Sequence, residues 1–176
     1  MDGIFMSLRT IMIFPEFENM DIIDSIRKRY DPLAELVRPH ITLVFPFESQ
    51  ITNEELLQIL NVRLYGVKVF ELRLGCVSKY VDAFGNYLFL DVLQGQNEIS
   101  YMHQKLYDNE FMEFDLGLQY VPHMTIGKLA TVELLNNAFE DTKLINNTFS
   151  TIVKKVSVEM IGDNDESIIV IEKELI

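Results

Sequence analysis

The chain has 176 residues, of which 48% are hydrophobic, and this is enough to bury the core of one compact domain. Its 27 acidic and 15 basic side chains give a net charge of −12 at pH 7, so the protein repels long polyanions. Tracking along a nucleic-acid backbone is therefore not expected, and a nucleic-acid partner should be short.

A single cysteine, Cys76, excludes an intrachain disulfide framework and favours a reducing compartment. The N-terminal stretch MDGIFMSLRTIMIFPEF has no basic leader, and Arg9, Glu16 and Glu18 interrupt its apolar residues. It therefore predicts neither a signal peptide nor a membrane span. We expect a cytoplasmic monomer without a membrane partner.

Strands and helices alternate along the chain. Residue periodicity predicts strands near 8–14, 40–45, 67–78, 86–93 and 121–127, and a closing hairpin of KVSVEMI and SIIVIEKEL around the turn GDNDE. It predicts helices near 19–30, 52–60, 99–107 and 132–143. Thr52 and Glu55 form a plausible capping box at the start of the second helix.

The second half of this element order repeats much of the first. Short strands joined mostly by hairpins, with helices on one side, indicate an α+β fold. We expect residues 1–176 to form a single domain of two intertwined, pseudo-symmetric lobes. Each lobe is an antiparallel sheet with helices on its outer face, and the two lobes enclose a central cleft.

Two of the three histidines lie in matching strand motifs, RPHITLVFPF at 38–47 and VPHMTIGK at 121–128. Because side chains alternate across a strand, the first motif should have a polar face of His40, Thr42 and Val44. Its apolar face, directed to the helices, should hold Ile41, Leu43 and Phe45. In the second motif the same split places His123 and Thr125 opposite Met124 and Ile126.

If each motif strand is central in its sheet, two imidazoles and two hydroxyls meet across the cleft. Such a site suits acid–base catalysis of phosphoryl transfer, in which one histidine accepts a proton and the other donates one. Thr42 and Thr125 are positioned to donate hydrogen bonds to non-bridging phosphate oxygens. Arg38 and Lys128 flank the motifs and add local positive charge.

The two His-x-Thr motifs, HIT at 40–42 and HMT at 123–125, resemble the 2H phosphoesterase superfamily, which includes the 2′-5′ RNA ligase proteins. The stretch YDPLAELVRPHITLVFPFE is most similar to a bacterial branch with the same Pro-His-x-Thr-Leu and Pro-Phe-Glu context. The resemblance covers about residues 8–175 and implies a fold of two pseudo-symmetric lobes. Lys128 stands where some members have an arginine, and lysine lacks the bidentate fork of a guanidinium.

The resemblance implies a metal-independent hydrolase or ligase that needs no cofactor and acts on 2′,3′-cyclic phosphates or 2′-5′ linkages. Its partners would be short RNA ends or cyclic nucleotides. The catalytic residues would be His40 and His123, and the substrate-binding residues would be Thr42, Thr125, Lys128 and Arg38. By analogy, His40 should protonate the leaving oxygen and His123 should activate water, although the sequence also permits the reverse assignment.

One alternative is a non-catalytic module that binds a nucleotide or phosphorylated ligand in the same cleft. A single His-x-Thr motif would more often be a half-buried structural pair, but two copies at corresponding places favour an enzyme. His103 has no threonine partner and is interpreted as a packing or helix-surface residue. A metal site is not predicted, because neither motif offers a third convergent ligand.

Overall fold

The computed structural model describes residues 7–176, so the first six residues of the N-terminal stretch considered above lie outside it. The strands are β1 (Ser7–Ile13), β2 (Ile41–Ser49), β3 (Phe70–Asp82), β4 (Gly85–Gln94), β5 (His123–Leu129), β6 (Phe149–Val153), β7 (Lys155–Ile161) and β8 (Ser167–Glu174). The helices are α1 (Met20–Tyr30), α2 (Asn53–Arg63), α3 (Gln96–Tyr107) and α4 (Val132–Thr142), with a 3-10 turn at Met112–Phe114.

The strands form two four-stranded antiparallel sheets, with the orders β2-β1-β7-β8 and β5-β4-β3-β6. The predicted α+β class, with two sheets and their helices, is confirmed. Strand β6 was not predicted, because its five residues are separated from β7 by Lys154 alone. The chain changes sheets at this residue, so one apolar run contains two strands.

The helices begin where local sequence signals place them, but they pack across the molecule. The Thr52–Glu55 capping box at the start of α2 is confirmed, with both reciprocal hydrogen bonds present. Helix α1 follows a strand of the first sheet and packs on β5 of the second, whereas α3 follows a strand of the second sheet and packs on β2 of the first. The buried apolar side chains therefore form one continuous core.

The two motif strands lie at the edges of their sheets, and not at the centres as the sequence pattern suggested. Strands β2 and β5 nevertheless approach each other, with Cα atoms within 8 Å. The two sheets therefore meet edge to edge along the strands that carry His40, Thr42, His123 and Thr125. An edge strand has backbone groups without a strand partner, so other parts of the molecule must satisfy them.

Candidate active site

The two motif histidines have the same local hydrogen bonding. His40 Nδ1 donates to the carbonyl oxygen of Arg38 at 2.8 Å, and His123 Nδ1 donates to that of Val121 at 2.7 Å. A carbonyl oxygen can only accept, so Nδ1 carries the proton in both rings. Each Nε2 is therefore left to exchange protons, as a base in the neutral ring and as a donor in the charged one.

Strand β2 contains a β-bulge directly after its motif. Between Thr42 and Val44 it has one residue more than the opposing segment of β1, and both Leu43 and Val44 are buried. Phe45 then faces the cleft instead of the helices. The predicted faces of Val44 and Phe45 were wrong, because a bulge shifts the alternation of side chains by one residue.

Strand β5 contains a matching bulge at the corresponding position. Between Thr125 and Gly127 it has one residue more than the opposing segment of β4, and both Ile126 and Gly127 are buried. Simple alternation would place Lys128 on the same face as Ile126. The bulge instead brings Lys128 to the cleft, at the position that Phe45 occupies in the other strand.

A cleft of about 630 Å³ lies where β2 and β5 meet. Four of the predicted site residues line it: Thr42, His123, Thr125 and Lys128. His40 comes just before β2, is half-buried and does not line the cleft; its ring and that of Phe14 are 6.0 Å apart at 60°. The threonines of both motifs therefore share one cleft, and His40 lies two residues from Thr42.

Arg38 is placed elsewhere by the structure. Its side chain lines a second cavity of about 470 Å³, lies 4.7 Å from the Phe14 ring centre and is 3.9 Å from a Glu16 carboxylate oxygen. Its contribution near the cleft is made by the backbone, because its carbonyl oxygen accepts the His40 hydrogen bond. The sequence could not show this, because strand alternation would place Arg38 on the same face as His40, whereas Arg38 lies before β2 in a segment that is not a strand.

Four stacked rings line one side of the cleft; we name them the ring wall, and they belong to His123, Phe89, Tyr80 and Tyr87. The His123 ring lies 3.6 Å from that of Phe89 at 18°, and Phe89 lies 5.3 Å from Tyr80 and 5.7 Å from Tyr87. The Lys128 ammonium is 5.5 Å from the Tyr87 ring centre. The sequence analysis did not identify this wall, although Tyr87 and Phe89 alternate with leucines in β4 in the pattern of a single strand face.

Comparison with known proteins agrees with the motifs and the fold. Residues 14–161 match the family described as the 2′-5′ RNA ligase superfamily. The chain belongs to this superfamily of 2H phosphoesterases. The resemblance drawn from the sequence is therefore confirmed.

Two relatives of this superfamily member are Bacillus proteins named "Putative phosphoesterase". The protein of Bacillus mycoides strain KBAB4 is 35% identical over 122 residues, and that of Bacillus cereus strain B4264 is 34% identical over 122 residues. In both comparisons the match covers 67% of this chain and 67% of the relative.

Solved structures of similar fold include E. coli LigT complexed with 3′-AMP and a protein of Thermus thermophilus. LigT is 15% identical, with a TM-score of 0.69, and the match covers 97% of this chain and 99% of LigT. The Thermus protein is 12% identical, with a TM-score of 0.63, and the match covers 96% of this chain and 97% of that protein. At these identities the likeness shows the fold.

Side chains from outside the sheet hold the β2 bulge of this superfamily member. The Tyr120 hydroxyl donates to the carbonyl oxygen of Thr42 at 2.8 Å, and His103 Nδ1 donates to that of Leu43 at 2.8 Å. The rings of His103 and Tyr120 stack at 3.6 Å and 5°. His103 is therefore a packing residue with a defined partner.

Tyr107 completes this support from the end of α3. Its hydroxyl accepts a hydrogen bond from the backbone amide of Phe45 at 3.1 Å, and its ring lies 4.6 Å from that of His103. Three aromatic side chains thus satisfy the edge-strand groups at the bulge, in place of a neighbouring strand. We name His103, Tyr107 and Tyr120 the aromatic support.

Burial lowers the pKa of both motif histidines, because the charged ring is poorly solvated. For His40 the backbone hydrogen bond opposes this effect, while the positive charges of Arg27 and of a protonated His123 lower the pKa further. A positive charge on His123 therefore disfavours a second positive charge on His40.

Two other properties bear on function. Within residues 7–176, no group of three or more His, Cys, Asp or Glu side chains is arranged to hold a metal ion. None of the helices in the same range combines the length and apolar character required to cross a membrane.

Proposed function

We propose that this superfamily member is a metal-independent phosphoesterase that acts on 2′,3′-cyclic phosphates or 2′-5′ linkages of short RNA or nucleotides. We propose that it works as a single-domain monomer. The observation that supports this function is the pair of His-x-Thr motifs, whose histidines each direct Nδ1 to a backbone carbonyl and leave Nε2 for chemistry. A ligand-binding module would need donors and positive charge, but it would not need two proton-exchanging groups.

The two imidazoles are sufficient for both proton transfers. One neutral ring takes a proton from the attacking water or hydroxyl, and the other, protonated, gives a proton to the oxygen that leaves phosphorus. The hydroxyls of Thr42 and Thr125, which line the same cleft, donate to the non-bridging oxygens as negative charge develops on them. No step requires a Lewis acid.

The distribution of charge favours a small substrate with one phosphate. Of the two lysines that line the cleft, Lys79 turns its ammonium away to Asn136 of α4 at 2.8 Å, and Lys128 stays beside the cleft. Asp82 and Asp91 also line this cleft and would repel further phosphates. The ring wall offers a flat apolar surface on which a nucleobase can stack.

The test is a screen of 2′,3′-cyclic nucleotides, 2′-5′ oligonucleotides and RNA ending in a cyclic phosphate. The wild type should turn over at least one of these in the presence of EDTA. His40→Ala and His123→Ala should each reduce the rate by about 10² to 10⁴, and the double variant should be far from additive because the pair acts as a unit.

Binding measured in parallel distinguishes the enzyme from the binding module. Affinity for a product nucleotide should fall much less than the rate in both alanine variants. The proposal fails if the protein binds nucleotide phosphates but turns over none of the panel, with alanine at either histidine altering affinity alone. Loss of turnover in EDTA, restored by zinc or magnesium, would place the reaction in another chemical class.

A further inference from the structure

We infer that Asp91 holds the proton of the catalytic pair on His123, so that His123 protonates the leaving oxygen and His40 takes the proton of the attacking group. This inference rests on the proposed function. It reverses the division of labour expected from analogy, and it makes Asp91 a positioning residue that acts through His123.

Asp91 of β4 lies directly beside His123 on the adjacent strand, β5. The two residues are register partners in the β4–β5 pair, and both side chains line the cleft. Ser78 of β3 donates from its hydroxyl to Asp91 Oδ1 at 2.6 Å and so orients the carboxylate. A carboxylate beside an imidazole favours the charged form of the ring.

His40 has no such partner in the matching position. Continuing the register in which Met12 pairs with Thr42 and Ile13 with Ile41 brings Phe14 opposite His40, where Asp91 stands in the other half. Phe14 offers an aromatic ring and no charge. The pseudo-symmetry of the site is therefore broken at the residue that faces each histidine.

The electrostatics of the two rings agree with this geometry. Burial lowers the pKa of His123, but the negative charge of Asp91 acts to raise it. Burial also lowers the pKa of His40, and the charges of Arg27 and protonated His123 act in the same direction. The hydrogen bond to the Arg38 carbonyl and the charge of Asp31 raise this pKa, but Asp31 is paired with Arg27 at 2.8 Å. Once His123 holds a proton, His40 is the ring that remains neutral.

Among the charged groups on the elements around His123, Asp91 is the acidic residue that occupies the register position opposite it. The segment before β2 presents His40, and β5 itself presents Lys128, which lies against Tyr87. Arg27 of α1 is paired at 2.8 Å with Asp31, the residue that follows the helix. On α4, which also packs on β5, the acidic side chains are exposed; they are Glu133, Glu140 and Asp141.

Hydrolysis of a cyclic phosphate then requires two proton transfers, one at each histidine. His40 Nε2 takes a proton from water as the water oxygen bonds to phosphorus. The bond from phosphorus to one ring oxygen breaks, and the proton on His123 Nε2 passes to that oxygen. The product is a phosphate monoester with a free hydroxyl, and exchange with solvent removes the proton from His40 and restores the starting proton on His123.

Histidine titration by NMR tests the role of Asp91 without any substrate. The three ring signals can be assigned with single His→Gln variants, after which His123 should titrate at a higher pH than His40. Asp91→Asn keeps the shape of the side chain but removes its charge, so it should lower the pKa of His123. Asp82→Asn, in the same cleft but outside the register position, should leave that pKa unchanged. Equal pKa values for the two rings, or no shift in Asp91→Asn, would overturn the inference.

A leaving-group comparison tests which ring is the acid. A cyclic nucleotide with sulfur in place of its bridging 2′ oxygen expels a thiolate that needs no protonation when water opens the ring, whereas the ordinary 2′,3′-cyclic nucleotide expels an alcohol. His123→Asn should lose about 10² to 10⁴ in rate on the ordinary cyclic nucleotide but should keep most of its rate on the sulfur analogue. His40→Asn should lose rate on both substrates, because the attacking water still requires a base.

The opposite pattern, with His40→Asn rescued by the sulfur analogue, would refute the assignment of roles. Turnover of neither substrate by the wild type would refute the proposed function, and the acid and base roles with it. The coupling of Asp91 to His123 would still be decided by the titration, so the two failures can be distinguished.

Discussion

The two motif strands have the same backbone design but different surroundings. In both, the histidine is fixed by the carbonyl two residues earlier, and a bulge after the threonine brings the residue five positions beyond the histidine to the cleft. That residue is Phe45 in β2 and Lys128 in β5. The motif thus specifies the local geometry, and the sequence around it decides which side chain the geometry presents.

The neighbours of the strands differ even more. The β2 bulge is held by the aromatic support, whose three hydroxyl and imidazole groups bond its backbone. The β5 half faces Asp91 and the ring wall, and its bulge packs against α1 through Gly127. We interpret the β2 half as an uncharged side braced by aromatic groups and the β5 half as the side that carries charge.

The largest effect is expected for the two motif threonines, whose contributions to activity should be equal in the two halves of the site. Thr42→Val and Thr125→Val keep a branched side chain but remove the hydroxyl, and each should lower kcat by about 10² to 10³, as for loss of one donor to a developing oxyanion. The measurement is kcat on the best substrate of the panel, with unfolding by denaturant as a control for stability. A loss confined to one threonine would show that a single motif holds the phosphate.

Substitution of Lys128 tests a position at which the two halves of the site should contribute differently to activity. Lys128→Met removes the ammonium but retains a flexible chain, and hydrogen bonds to charged groups contribute about 1.5–3 kcal/mol. This corresponds to a fall in kcat/KM of roughly 10- to 100-fold. Lys128→Arg should retain most of the activity, and Phe45→Leu at the matching position should cost less than Lys128→Met. Equal losses at the two positions would remove the proposed asymmetry of charge.

Gly127 tests the packing of the β5 bulge. A Cβ atom there would lie 3.0 Å from Tyr30 Cβ and 3.2 Å from Leu88 Cβ, neither of which is the end of a flexible side chain. Val44 holds a larger side chain at the corresponding position of β2. Gly127→Ala should therefore lower the free energy of unfolding by about 1–3 kcal/mol, as overpacking usually does. Unchanged stability in denaturant titrations would mean that α1 does not constrain this bulge.

The smallest effect concerns the aromatic support. Tyr120→Phe removes the hydroxyl that donates to the Thr42 carbonyl, and loss of one such hydrogen bond costs about 0.5–1.5 kcal/mol of stability. Tyr101→Phe, on the exposed face of α3, should change stability by less than about 0.5 kcal/mol. Both can be measured by denaturant unfolding. If the two variants behave alike, the support does not stabilise β2.

The sequence predicted the elements that depend on local signals. Apolar periodicity located most helices and strands, and the Thr52–Glu55 pair marked the start of α2, because these patterns are set within one or two turns of chain. The repeated His-x-Thr motif identified the superfamily for the same reason. The motif is short, and both copies can be read directly from the sequence.

The remaining features depend on contacts between distant segments, and only the tertiary structure decided them. The bulges that bury Val44 and turn Phe45 and Lys128 to the cleft arise from the register of β2 and β5 against their partner strands. The pairing of Asp91 with His123 likewise needs a strand register, which the sequence does not display. Periodicity assigns a residue to a face but gives no information about which distant strand or side chain will meet it, so the sequence determined the two His-x-Thr motifs while the fold determined their surroundings.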